Sequence, residues 1–457
     1  MSTAFLKEVF REKAHAEAIV WHGRSYNYAW LNDRIAYWVD RLTSEGIRPG
    51  DVTLLQGDFS PNSVALLLAL IEKSCICVPL NAERVHERGV LAETALVSWI
   101  VEIDEKDSVN INRRQEKQGH ELYDLLRRIG HPGIVFFTSG STGVSKVVVH
   151  DLAKLLSKYM AKRHDLITLA FLLFDHIGGF DTLFYVLSNG STLVIPESRM
   201  PEIVCRAIQQ HHVEVLPVSP SFLNLLLLSE AYAEYDLSSL KYITYGAEVM
   251  PAGTLAKCAG VFSRVKFLQK YGTTEIGTMH SKSERQDSVW VKLGGEGYEW
   301  RVADGILQIK SDSAMLGYLN APSPFTSDGW FITGDSVERN GDSLRILGRK
   351  SDIINVGGQK VYPSEVEEVI CEMDGVADAT VYGEKNQLLG NIVCAMVKLA
   401  RPEPVEEFLL RLRTYCKARL DRYKIPLKIT LSDDMQFDAR SKKMRRLLAE
   451  RTDVSNA

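Results

Sequence analysis

Cysteine is sparse and unpatterned in this chain: seven residues in 457, at positions 75, 77, 205, 258, 371, 394 and 416, with no C-x-x-C pair. This excludes a zinc ribbon or a disulfide framework and leaves reduced, packed thiols of the cytosolic kind. Long apolar runs are missing too. The longest, Val64 to Ile71 and Leu166 to Phe174, fall far short of the ~20 residues that a bilayer-spanning helix needs. No charge of either sign dominates: the net charge is −4, with 25% charged and 45% hydrophobic residues, so nothing global attracts nucleic acid or an anionic membrane. Met1 to Lys13 is charged and helix-like and lacks the apolar core of a secretory leader. A cytoplasmic protein is expected. No repeat of about 20 to 50 residues appears, which argues against a solenoid, and oligomeric state leaves no trace.

What is present is an alternation of short apolar runs with helical stretches. Val52 to Leu55, Thr192 to Ile195, Val213 to Val218 and Tyr242 to Tyr245 read as buried strands, and Asn62 to Ile71 and Pro201 to His211 as helices. The charged, Asn/Gln-rich segment from Val101 to Glu121 reads as a surface loop leading into a helix. At this length two or more domains are expected. Beyond about residue 348 the pattern shifts to a smaller α+β unit: a Gly357-Gly358 turn, helix Pro363 to Met373, strand Ile392 to Lys398 and helix Val405 to Leu420. The expected division is 1–348 and 349–457.

The richest local signal follows the strand Ile134 to Phe137. Thr138-Ser139-Gly140-Ser141-Thr142-Gly143-Val144-Ser145-Lys146 gathers hydroxyls, glycines and one lysine in a single turn. Glycines let backbone N–H groups approach an anion, and the hydroxyls and ammonium add donors, so the loop suits phosphate. It is not the G-x-x-x-x-G-K-[ST] loop of Walker NTPases, because Lys146 lies between Ser145 and Val147.

The order Thr-Ser-Gly-Ser-Thr-Gly-x-x-Lys resembles the phosphate-binding core of the AMP-forming acyl-activating family, which includes acyl-CoA synthetases, aryl-acid and amino-acid adenylation domains and luciferases. Further stretches follow in the family's order. Tyr245-Gly246-Ala247-Glu248 resembles its adenine-facing loop and the floor of its acyl pocket. Tyr271-Gly272-Thr273-Thr274-Glu275 resembles its Y-G-x-T-E element, which implies Tyr271 on adenine, Thr274 on the α-phosphate and Glu275 on Mg²⁺, a cation that usually takes one carboxylate plus phosphate oxygens. Thr333-Gly334-Asp335, after Gly329-Trp330-Phe331, implies Asp335 on the ribose hydroxyls. Gly348 to Glu367 resembles the hinge and first hairpin of the C-terminal domain, with Arg349 on the ribose and Ser351 as the pivot. Ser441-Lys442-Lys443-Met444-Arg445-Arg446 stands where the family has S-G-K-x-x-R and implies Lys443 as the catalytic lysine. Lys442 replaces the usual Gly, no Leu-Pro precedes it, and Ser145 and Val147 depart from the Pro and Gly that usually flank the loop lysine.

The resemblance implies an α/β fold: a large N-terminal domain of layered sheets with a small β-barrel-like subdomain, then a small mobile C-terminal domain. It implies ATP and Mg²⁺ as cofactors, formation of an acyl-AMP from a small carboxylic acid, and transfer to the pantetheine thiol of CoA or of an acyl carrier protein. For the acyl pocket it points to His176, Gly178 and Phe180, through likeness to an F-H-x-x-G element, and to Tyr245 and Gly277. Amino-acid-activating relatives need a carboxylate just after the aromatic position. Ile177 occupies that register, Asp175 and Asp181 lie outside it, and a one-residue slip would restore Asp175. An aliphatic or aryl acid is therefore expected. Two other readings remain: a nucleotide or acyl-adenylate binding protein without turnover, suggested by the altered lysine motif, and oxidative chemistry on an acyl-adenylate.

Overall fold

Val52–Gln56 and Ile76–Leu80 are buried at every position, as strands covered on both faces must be. They run parallel, with Val52 opposite Ile76, at the heart of a seven-stranded sheet ordered Gly317–Tyr318, Lys146–Asp151, Gly133–Thr138, Ile76–Leu80, Val52–Gln56, Trp99–Ile103, Val109–Arg113. The computed structural model describes residues 3–114, 119–138, 145–283, 285, 288–295 and 297–432. Helix Pro61–Glu72 crosses from one central strand to the next. Ser60 caps it, with Ser63 returning the bond in a capping box and Pro61 in the first turn.

A second seven-stranded sheet runs Lys266–Gln269, Tyr242–Tyr245, Val215–Val218, Thr168–Leu169, Leu193–Ile195, Glu17–Trp21, Arg24–Asn27 and is parallel up to its last hairpin. Helices Tyr28–Ser44, Pro61–Glu72 and Ile177–Asn189 supply one continuous apolar core with strand residues of both sheets, among them Leu31, Trp38, Leu67, Phe136 and Phe184. The apolar stretch Leu166 to Phe174 yields only the two-residue strand Thr168–Leu169.

The segment read as a surface loop from Val101 to Glu121 is corrected by the structure. Trp99–Ile103 pairs antiparallel with Val109–Arg113, Val101 opposite Ile111, and helix Glu121–Ile129 follows. Asn112 donates from Nδ2 to Glu102 at 3.1 Å. The polar composition is that of an exposed edge strand, which a polarity count cannot tell from a loop.

The third sheet is antiparallel: Tyr271–Thr273, Gly277–Ser283, Val291–Gly294, Ser343–Arg349, Phe331–Asn340, Ile306–Ser311, Tyr298–Ala303. It stands where a barrel-like unit was expected. The fourth sheet, Gln359–Val361, Ile354–Val356, Gly390–Leu399 and Val376–Asn386, with Lys428–Leu431 beside Gly390–Leu399, has its own core of Val361, Ile370, Val381, Val393, Phe408 and Leu412 under helices Pro363–Cys371 and Val405–Lys417. Gly357 and Gly358, at φ +56° and +85°, make the two-residue turn between its first strands, a backbone that favours glycine at both places.

Candidate active site

Asp335 lies inside the strand Phe331–Asn340, directly opposite Arg349 at the end of Ser343–Arg349. Arg349 Nε donates to its Oδ1 at 2.8 Å, and the Tyr271 hydroxyl donates to Oδ2 at 2.6 Å. Arg349 also donates to the Thr333 carbonyl at 2.9 Å, while Thr333 Oγ1 accepts from Asp335 N at 3.0 Å. Two residues of neighbouring strands and the distant Tyr271 are thus locked together by charge-assisted bonds, the strong class of hydrogen bond. Burial, then the neighbouring Asp335 carboxylate, pushes the Tyr271 phenol well up, so it stays protonated and donating. Burial opposes the Arg349 charge, but the Asp335 carboxylate, with Glu275 further off, outweighs it and holds the guanidinium above its ordinary value. Gly334, at φ +76°, bends the strand between Thr333 and Asp335.

The phosphate-loop side is assembled from separate elements. Thr138 and Lys146 face each other across the antiparallel pair that closes the loop's base. Ser139, Gly140, Ser141, Thr142 and Gly143 lie outside the described residues. Strand Gly317–Tyr318 pairs with Lys146–Asp151, Tyr318 opposite Val148. The Lys146 ammonium stands 5.0 Å from the Tyr318 ring centroid, and the Tyr318 hydroxyl donates to Glu275 Oε1 at 2.8 Å. One aromatic side chain therefore joins the loop lysine to the carboxylate of the Y-G-x-T-E element. Met315 N donates to the Glu275 carbonyl at 2.7 Å, and the buried His150 bonds the Thr274 carbonyl through Nε2 at 2.6 Å. Burial pushes the His150 imidazole down from its ordinary value, which favours the neutral ring. Asn320 spans the loop's return, accepting from Val147 N and donating to the Ser145 carbonyl, each at 2.9 Å.

Tyr318, His150 and Asn320 were not picked out by sequence reasoning. They belong to no motif and meet the site through pairings of distant segments. Asn320 also gives a physical account of the loop's unusual flanks: it ties down the backbone on either side of Lys146, where neither Pro nor Gly is present.

The acyl-side residues divide into surface and support. Gly246 must lack a side chain, since a Cβ there would stand 2.6 Å from the Lys270 carbonyl oxygen, and Gly272 likewise, at 2.5 Å from the Gly277 oxygen. Ala247 has φ +69° and Gly277 φ +76°, so the turns beside Tyr245 and after Glu275 are both in the left-handed region. Glu248 Oε2 accepts from Ser221 N at 3.1 Å and from its hydroxyl at 2.5 Å, in the first turn of helix Pro220–Ser229. His176 caps helix Ile177–Asn189, its Nδ1 accepting from Gly178 N at 3.1 Å, and a Cβ on Gly178 would meet Leu172 at 2.8 Å. Phe180 is a core residue, its ring centroid 4.4 Å from that of Phe184 and 5.8 Å from that of Phe136. Ser351 sits exposed in the turn Lys350–Asp352, its hydroxyl bonded to Asp352 at 3.0 Å. Lys443 lies outside the described residues.

Among the described residues no group of three or more His, Cys, Asp or Glu forms a metal cage. A single carboxylate, Glu275, with Oε1 taken by Tyr318, fits an ion that draws its other ligands from phosphate and water, as Mg²⁺ does.

Residues 6–305 match the AMP-binding enzyme family, and residues 365–442 match the AMP-binding enzyme C-terminal domain. A methyl-dioxo-octahydroindenyl-propanoyl:CoA ligase of Mycobacterium tuberculosis is 32% identical over 328 residues, spanning 67% of this chain and 64% of that protein. The ligase of the same name from Rhodococcus jostii is 29% identical, with 97% of each chain covered. The crystal structure of an anthranilate CoA ligase in complex with anthranoyl-AMP superposes with a TM-score of 0.86 at 18% identity, covering 100% of this chain and 98% of that one. With a family match over more than half its length and the expected motifs in its sheets, the chain belongs to the AMP-binding enzyme family.

Proposed function

We propose that the protein is an ATP-dependent, AMP-forming acid–CoA ligase, acting on an aliphatic or aryl acid and not on an α-amino acid. The observation that carries this reading is the Tyr271–Asp335–Arg349 lock standing with the Lys146–Tyr318–Glu275 bridge: one suits a ribose, the other a polyphosphate, and Tyr271 and Glu275 are only four residues apart on one hairpin.

A carboxylate acylates poorly because its leaving group would be oxide. In the first step an acyl carboxylate oxygen attacks the α-phosphorus of ATP, the bond to the bridging oxygen breaks, and pyrophosphate leaves with the electron pair. Lys146 and the hydroxyl loop hold that pyrophosphate, Thr274 contacts the α-phosphate, and Lys443 offsets charge on the attacking oxygen. Mg²⁺ on Glu275 supplies Lewis-acid neutralisation when bound. In the second step a thiolate attacks the acyl carbon and AMP departs, after a C-terminal unit beginning near residue 349 turns about Ser351 and brings the Gly357-Gly358 hairpin toward the acyl group. CoA is taken over an acyl carrier protein because the named relatives are CoA ligases. No helix among the described residues is long and apolar enough to cross a membrane, in keeping with a cytoplasmic enzyme.

ATP–pyrophosphate exchange across a panel of acids, followed by thioester formation with CoA or a holo carrier protein, tests the proposal. Acid-dependent exchange and acyl-CoA are expected. Bound ATP without exchange for any acid would sink it in favour of a binding protein.

A further inference from the structure

Lys270 immediately precedes Tyr271, and its environment is unusual for a lysine. Its N–H donates to the Tyr245 carbonyl at 2.7 Å, and its Cβ lies 3.5 Å from where a Cβ on Gly246 would stand. The side chain therefore starts against the turn that forms the expected acyl-pocket floor. It is partly buried. Among the described residues no group accepts a hydrogen bond from its ammonium, although Asp181 on helix Ile177–Asn189 lies within electrostatic reach.

Asp181 is already committed. Its Oδ1 accepts from Lys158 Nζ at 2.5 Å and from the Tyr159 hydroxyl at 2.7 Å, and Lys158 also donates to the Thr278 carbonyl at 3.1 Å. Arg163, bonded to His280 at 3.1 Å, adds a further cation within reach of Lys270. Lys158 and Lys270 thus share one carboxylate, Asp181, with Arg163 adding positive charge within reach of Lys270, between the helix that His176 caps and the hairpin that carries Glu275. Burial pushes the Lys270 ammonium down from its ordinary value; Asp181 opposes this, but it is shared with Lys158, and the Lys158 and Arg163 charges add to the downward push, as expected of a cation with only a shared counter-charge. A partly buried cation in such surplus is stabilised by an incoming anion and offers nothing to an apolar chain end.

We propose that the acid this protein activates carries a second anionic group at the far end of its acyl chain, a dicarboxylate in the simplest form, and that Lys270 receives that group. The inference rests on the acid-activating reading above and narrows it to a substrate class. Lys270 acts as a specificity residue: it fixes the distal carboxylate, and the proximal carboxylate is left for the α-phosphate. Lys158 stays with Asp181, and Arg163 raises the local potential from the rim.

The test uses the full-length protein and two sets of probes. Acyl-sulfamoyl adenosines built on straight-chain dicarboxylic acids from succinate to suberate are compared with their terminal-amide counterparts by equilibrium binding, and the free acids and monoamides by AMP release. At least one dicarboxylate should be favoured by about tenfold or more, the worth of one charge-assisted hydrogen bond. The preference should appear in Kd and KM more than in kcat, vanish in K270M and return at least in part in K270R, which keeps the cation. Equal or weaker binding of every dicarboxylate probe, or a preference untouched in a folded K270M, would overturn the inference. Efficient AMP release from neutral acids alone would overturn it while leaving the ligase reading intact. Failure of ATP and of both probe sets to bind would overturn the ligase reading, and this inference with it.

Discussion

The two halves of the proposed nucleotide site are built in opposite ways. On the ribose side, Asp335, Arg349 and Tyr271 all belong to one antiparallel sheet, and register alone brings Asp335 opposite Arg349. On the phosphate side, Lys146, Tyr318 and Glu275 come from two different sheets and touch through one tyrosine. The first half is a preformed lock whose charges satisfy each other before any ligand arrives. The second is a junction, held by a ring face and single hydrogen bonds, suited to a loop that must admit a polyphosphate and release pyrophosphate. On the proposed reading, a preformed lock would place the nucleoside, while a looser junction would let product leave.

The comparison breaks most severely where neither half suffices. Lys443→Ala is expected to lower acyl-adenylate formation by about a hundredfold or more while leaving thioester formation from a supplied acyl-adenylate largely intact. Single-turnover assays of the two steps check this, and an unchanged first step would move the role to Lys442. Next comes the lock. Asp335→Ala strands the Arg349 guanidinium and the Tyr271 hydroxyl, so KM for ATP should rise about ten- to a hundredfold, with a smaller change in KM for the acid. An unaltered ATP dependence would reduce Asp335 to a strand residue with a structural partner.

Tyr271, Asp335 and Arg349 were reached through the resemblance of their motifs to a family, as were Lys146 and Glu275, but Tyr318 and Asn320 were not, for a physical reason. Thr333-Gly334-Asp335 and Gly348-Arg349 are contiguous stretches, and a resemblance can carry only what is contiguous in one dimension. Tyr318 and Asn320 act through a two-residue strand that pairs across about 170 positions of sequence with Lys146–Asp151, and nothing local marks them. A different limit hid the strands at Val109–Arg113 and Val376–Asn386: they pair with their sequence neighbours, but at a sheet edge, where polar residues break the apolar run. The parallel strand Val52–Gln56 was legible because burial on both faces leaves a nearly unbroken apolar run, and Tyr242–Tyr245 because its β-branched and aromatic residues alternate between buried and half-buried positions. His176, which a motif resemblance assigned to the acyl pocket, also caps a helix through its ring nitrogen, a local role that the motif does not reveal.

Tyr318→Phe sharpens the junction. It keeps the ring beneath Lys146 and removes only the bond to Glu275. A lost hydrogen bond to a charged acceptor is worth about 1.5–3 kcal/mol, so kcat for adenylation should fall by about tenfold or somewhat more, with a steeper requirement for Mg²⁺ and little change in KM for ATP. Tyr318→Ala should add a rise in that KM, because the cation–π contact goes as well. If the two variants behave alike, the ring does not steady Lys146.

The smallest expected effect separates loop stiffness from chemistry. Asn320→Ala removes two bonds, to Val147 N and the Ser145 carbonyl. Asn320 and Ser145 are not buried, so water replaces much of what is lost and the cost is about 1 kcal/mol. That should appear as a few-fold rise in KM for ATP at nearly constant kcat, since ground-state and transition-state binding suffer alike. Adding Ser145→Pro, which fixes φ at the residue before Lys146, should recover part of the loss if Asn320 serves to stiffen the loop. If proline instead deepens it, Asn320 sets the position of Lys146 more than its rigidity, and the junction is a matter of geometry that a stiffer backbone cannot supply.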